Sequence, residues 1–148
     1  MTATRCLRIC SGLSLLIAVG HTLAGRRFWS PMGDNAVLDA MRSTHFDIKG
    51  VDRSYLDFYL AFGYSISVFQ VMLAVLLWQL GTLADSNPSS ARPMIAVIAL
   101  ATALLGVISY SLILPLPAMS SLLLLGSLGT AYVLARRGNQ RQLENFVR

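Results

Sequence analysis

Residues 93–135 read PMIAVIALATALLGVISYSLILPLPAMSSLLLLGSLGTAYVLA, and this run, bounded by Arg92 and Arg136, decides the fold. It holds 43 residues and no Asp, Glu, Lys, Arg or His. As one helix rising about 1.5 Å per residue it would reach roughly 65 Å, about twice the hydrocarbon thickness of a bilayer. Pro115-Leu116-Pro117 interrupts it. A proline inside a helix lacks the N–H for the ladder and clashes with the preceding turn, so the chain is expected to fold back there. That leaves two spans of about the right length. A soluble domain of 148 residues could not bury such a stretch, so the chain is read as a membrane protein.

Two further apolar stretches precede it. One runs from Leu7 to Gly25 and closes on Arg26-Arg27; the other runs from about Ser54 to Ala84. The expected spans are thus about 7–25, 54–84, 94–114 and 118–135, in one membrane domain covering residues 1–148, with an outer loop at 26–53 and a tail at 136–148. The second span is long enough to tilt or to extend past the hydrocarbon. Its first turns carry Tyr55, Phe58, Tyr59, Phe62 and Tyr64, and Trp78 lies toward its other end, as interfacial aromatic belts predict. The hydrophobic fraction of 55% and mean hydropathy of +0.60 agree.

The net charge of +5 does not form a nucleic-acid patch, because the basic residues flank the apolar segments. Four spans put both termini on one side with Arg5, Arg8, Arg92, Arg136, Arg137, Arg141 and Arg148, seven in all. The other side holds five: Arg26, Arg27, Arg42, Lys49 and Arg53. The positive-inside rule then predicts cytoplasmic termini. A rival reading makes residues 1–20 a signal peptide ending at Ala18-Val19-Gly20. The apolar run continues through Leu23 and Ala24, which favours a retained first span.

In the outer loop, Asp34 is expected to cap a short amphipathic helix from Asn35 to about Thr44, with Val37, Leu38 and Met41 on its apolar side. It reads as an ordered connector or as a lid. Residues 85–93 read as a short polar turn. Small and polar residues supply packing faces: Ser14, Ala18, His21 and Gly25 on the first span, and Tyr59, Gly63, Ser67, Gln70 and Ala74 on the second. Ala99 with Ala103 and Thr102 with Gly106 serve the third, Gly126 with Thr130 the fourth, leaving Leu122 to Leu125 mainly for lipid. Cys6 and Cys10 lie four apart on one helix, badly placed for a disulfide, and read as packing residues.

The ionisable residues within the spans are His21 and Asp57. Such groups in a membrane helix normally face the interior and find partners. Both should sit roughly 6 Å below the outer edge, at one level. Tyr59 is near that level, as is Tyr110. The functional reading is an outward-opening pocket in which His21 acts as acid or base, Asp57 orients it, and Tyr59, Tyr110 and Gln70 contact a ligand. The structural reading is a hydrogen-bonded pair fixing helix register, or Asp57 reaching Arg53. Around the helix Asp57 lies roughly 140–160° from the Tyr59/Gln70 side, which counts against one shared pocket. No haem pair, HExxH, CxxC or phosphate loop is present, and His45 with Asp47 lacks a third metal ligand. No cofactor or metal is expected.

The strings Gly20-His21-Thr22, Arg53-Ser54-Tyr55-Leu56-Asp57-Phe58-Tyr59, and the Tyr-then-Pro close of the third span resemble a family of small, uncharacterised bacterial membrane proteins with four predicted helices. The resemblance implies a location and a span count, and no reaction. The size is also similar to that of small multidrug transporters, but their first-span Glu is missing here. The sequence therefore predicts an all-α membrane protein, a four-transmembrane-helix bundle with one short amphipathic helix in the outer loop, in a bacterial inner membrane. Three function classes stay open: a structural or accessory subunit, a binder or transporter of an apolar molecule, and a membrane-embedded enzyme acting on a lipid or isoprenoid-like substrate. The expected partners are the lipid bilayer, an apolar small molecule, and further copies or a larger membrane complex.

Overall fold

The computed structural model of the chain describes residues 2–30, 32–113 and 115–147. Leu114, the expected end of the third span, and Arg148 lie outside the described residues, as do the side chains of Pro115 and Arg141. In order along the chain come α1 (Ala3–Gly25), α2 (Ala36–Ser43), β1 (His45–Ile48), β2 (Val51–Ser54), α3 (Tyr55–Ser86), α4 (Pro88–Leu112) and α5 (Pro115–Val147). Among the described residues four stretches are long and apolar enough to cross a membrane: α1, α3, α4, and Leu116–Gly138 within α5. The fold is all-α apart from one small hairpin, and the chain is a multi-pass membrane protein.

Two boundaries differ from expectation. The polar turn expected at 85–93 contracts to Asn87, because Asn87 caps α4 by accepting from the Ser90 amide and Pro88 fits the first helical position, where no N–H is needed. The tail expected at 136–148 continues α5 to Val147.

The chain divides into two compact units, Met1–Leu15 with Met72–Arg148, and Leu16–Val71. In the first, α1 presents a stripe of Cys6, Leu7, Cys10, Ser11 and Ser14, all buried. The two cysteines are free thiols. The Ser11 hydroxyl donates to the Ala74 carbonyl at 2.7 Å, which ties α1 to α3. Gly81 faces α1: a Cβ there would stand 3.4 Å from the Thr4 carbonyl oxygen, an ordinary contact distance. Nearby, the Arg8 guanidinium lies over the Trp78 ring at 4.8 Å.

In the same unit α4 and α5 pack closely after the proline corner. Gly106 faces Ser121 at close range: an added Cβ would stand only 3.1 Å from the Ser121 Cβ, a tight contact. The Arg92 guanidinium donates to the Tyr132 hydroxyl at 3.2 Å. The buried side of α5 is Ala118, Leu124, Leu128, Ala131 and Ala135. The expected Gly126/Thr130 face is instead exposed, and Leu124, expected against lipid, is buried. Three alanines and two leucines make the contact, while Leu122 and Leu123 stay on the outside.

The second unit holds the end of α1, the loop, the hairpin and the start of α3. Asn35, rather than Asp34, caps α2: its side-chain oxygen accepts from the amides of Val37 and Leu38. Asn35 Nδ2 also donates to the Gly33 carbonyl, so one amide side chain closes the loop and starts the helix. Leu38 buries the apolar side of α2, and Asp39 pairs with Arg42 on the polar side.

The hairpin was not anticipated. His45 pairs with Ser54, Phe46 with Arg53, Asp47 with Asp52 and Ile48 with Val51. Lys49 and Gly50 form the two-residue loop with φ of 55° and 84°. Both are left-handed, as a turn matching the natural strand twist demands, and Asp47 Oδ1 accepts from the Gly50 amide.

Candidate functional site

His21 lies near the end of α1, half-buried. Its Nδ1 shares a hydrogen bond of 3.0 Å with the Ser67 hydroxyl of α3, the donor being set by the imidazole tautomer. Its backbone carbonyl accepts from the Trp29 indole Nε1–H at 2.9 Å. The Trp29 ring lies 5.1 Å from the imidazole, 5.0 Å from Tyr64 and 6.2 Å from Tyr59, both tyrosines edge-on.

Trp29 reaches this position through an unusual backbone. After α1 stops at Gly25, Phe28 and Trp29 both take left-handed conformations, with φ of 53° and 48°. Bulky residues rarely adopt that region, at a cost of order 1–3 kcal/mol each. What offsets it is the notch the indole enters. A Cβ on Gly63 would stand 2.3 Å from the Trp29 ring, and one on Gly25 would stand 2.7 Å from it. Glycine is therefore needed at both positions, where the indole wedges between the two helices.

Asp57 does not join His21. Its Oδ2 accepts from both the amide and the hydroxyl of Ser54 at 2.9 Å, and the Ser54 hydroxyl accepts in turn from the Asp57 amide. This reciprocal capping box starts α3 directly after β2. The carboxylate that the sequence reading offered to orient the imidazole is thus occupied in starting its own helix. Ser67 takes the place at His21, and its spacing from Gly63 on α3 was the available signal. Tyr59 stays in the cluster, 40% exposed, against Trp29. Gln70 is half-buried on the same helix and makes polar contact of its own. Tyr110 belongs to the other unit and is 75% exposed.

Chemically, an imidazole beside a hydroxyl can pass a proton. No carboxylate among the described residues is bonded to the imidazole, and the adjacent space is filled by the indole. His45, on β1, pairs with Asp52 across the hairpin at 2.8 Å, and Asp47 is engaged with the turn. Among the described residues no three His, Cys, Asp or Glu side chains gather as metal ligands. An open cavity of about 570 Å³ lies elsewhere, between the C-terminal half of α3 and the start of α4. Its walls are Leu76, Leu80, Leu83, Met94 and Val97, with Gln79 as a polar contribution.

No protein-family model matches the chain, and neither curated proteins nor solved structures give a match.

Proposed function

We propose that the chain is a small structural or accessory subunit of a bacterial inner membrane, with both termini cytoplasmic, acting through helix and lipid contacts. The observation that carries this reading is the Trp29 indole standing in the space beside His21 that a ligand would require. The other polar groups near that level also have structural employment: Asp57 caps α3, and Ser67 bridges to α1. The outward surface of the spans is made of large apolar side chains, among them Leu16, Phe62, Phe69, Val97, Leu104 and Leu122. Such a surface suits lipid or another membrane helix. The seven-to-five distribution of basic residues supports cytoplasmic termini, and the resemblance of Gly20-His21-Thr22 and of the 53–59 string supports a bacterial membrane.

The test is thermal unfolding of the purified protein in detergent, with and without isoprenoid and phospholipid additives. His21→Ala and Ser67→Ala should lower the unfolding temperature by the same amount in every condition. A variant that unfolds like the wild type but loses an additive-dependent rise would make His21 part of a binding site and defeat the subunit reading. The cavity between α3 and α4 favours one other function, binding of an apolar molecule. In that case Val97→Trp, which fills the cavity, should abolish an additive-dependent rise that His21→Ala leaves intact.

A further inference from the structure

The hairpin sorts its side chains by face. Residues directly opposite in an antiparallel pair share a face, and successive residues alternate. The register therefore puts Phe46, Ile48, Val51 and Arg53 on one face, and His45, Asp47, Asp52 and Ser54 on the other. Both hairpin carboxylates lie on the second face, where Asp52 is bonded to His45. The first face holds no acid and one cation, and Lys49 stands at its tip.

A two-stranded hairpin alone in water is marginally stable, so its apolar face needs support. At the base that support is visible. Phe46 stacks edge-on against Tyr55 at 5.0 Å and Phe58 at 6.2 Å, and Phe58 against Phe62 at 4.8 Å. Toward the tip, Ile48 is 52% and Val51 46% exposed. The exposed side chains then continue down α3: Tyr55, Phe58, Phe62, Ile66 and Phe69, spaced three and four apart on one helical stripe. Where α3 crosses the membrane that stripe faces the acyl chains, and the hairpin face is its upward continuation.

The geometry points to the hairpin as an interfacial foot: the Phe46/Ile48/Val51 face rests in the boundary between head groups and acyl chains of the leaflet around α3, with Lys49 and Arg53 on lipid phosphates and the His45/Asp47/Asp52 face in water. Continuity with the lipid-facing stripe and the separation of cations from carboxylates between the two hairpin faces both select a phosphate-bearing lipid surface, with Asp57, at the start of α3, the acid within electrostatic reach of Arg53. This inference rests on α3 spanning the membrane, and stands whether or not the chain is an accessory subunit.

The experiment places a spin label in turn at Asp47→Cys, Ile48→Cys, Val51→Cys and Asp52→Cys in nanodiscs of phosphatidylethanolamine and phosphatidylglycerol. The native cysteines are 1% and 0% exposed and stay unlabelled. Collisions with oxygen, which concentrates in lipid, are compared with collisions with a water-soluble nickel chelate. The expected result is an oxygen-to-nickel ratio several-fold higher at 48 and 51 than at 47 and 52. Lys49→Gln with Arg53→Gln should reduce that contrast. Equal, nickel-dominated accessibility on both faces would overturn the inference. Shielding of 48 and 51 from both reagents would also overturn it, since protein would then cover the face. In the unlabelled wild type, a lipid-soluble carbene reagent should modify the 46–51 peptide; its absence from that peptide would tell against the foot independently of any substitution.

Discussion

Trp29 shows how far a single side chain can commit a backbone. Two consecutive left-handed bulky residues are unfavourable, yet the indole is held by a hydrogen bond to the His21 carbonyl, by three ring contacts and by two glycines that leave it room. Gly63→Ala should therefore force the ring out and destabilise by about 1–3 kcal/mol, a typical overpacking cost. Trp29→Phe keeps ring volume and loses the indole donor, so its loss in unfolding temperature should be smaller than that of Trp29→Ala. Chemical unfolding in detergent measures both. Ser54→Ala should cost about 0.5–2 kcal/mol as the loss of a helix cap. Asp57→Asn should destabilise in the same direction, and the double variant should cost less than the sum, because the two residues form one box. An additive double variant would contradict the capping assignment. Asp57 was visible in the sequence as an ionisable residue needing a partner. That the partner was Ser54 was also visible, because Ser-x-x-Asp ahead of an apolar run is a helix-start signature. Trp29 was not readable, since nothing in local sequence announces a left-handed pair.

Among the elements, the long ones were legible and the short ones less so. A run of apolar residues at span length admits essentially one backbone solution in lipid, where every N–H and C=O must be satisfied within the segment. That is why α1, α3, α4 and α5 follow from composition. The inward faces are harder, because leucine serves both lipid and interior. On α5 the small-residue pair Gly126/Thr130 is exposed and Leu128 is fully buried. Leu128→Ala should then destabilise by about 1–3 kcal/mol, less than in a soluble core because the unfolded helix is already in lipid, while Leu122→Ala should have little effect. Equal effects would mean the α5 face is wrongly assigned. The hairpin had a signal too. His-Phe-Asp-Ile and Val-Asp-Arg-Ser alternate about Lys49-Gly50, a pattern of strand, two-residue turn and strand. Four-residue strands and lysine in place of the usual asparagine made it faint.

For the molecule as a whole, four stretches of mean hydropathy 1.6 to 2.2 among the described residues mark a multi-pass membrane protein, and between Lys49 and Ser89 the helix long and apolar enough to cross is α3. Cys6 and Cys10 cannot report on sidedness, since their burial alone would keep them from an impermeant maleimide. That silence makes them a clean background for new thiols. Lys49→Cys and Ser89→Cys, both at exposed positions, should label on opposite sides of the membrane. With the cytoplasmic termini proposed above, impermeant maleimide on intact cells should react with Lys49→Cys, and with Ser89→Cys only after the membrane is opened. Simultaneous labelling of both in intact cells, or recovery of the folded protein in the aqueous fraction without detergent, would contradict a chain that crosses the bilayer along α3.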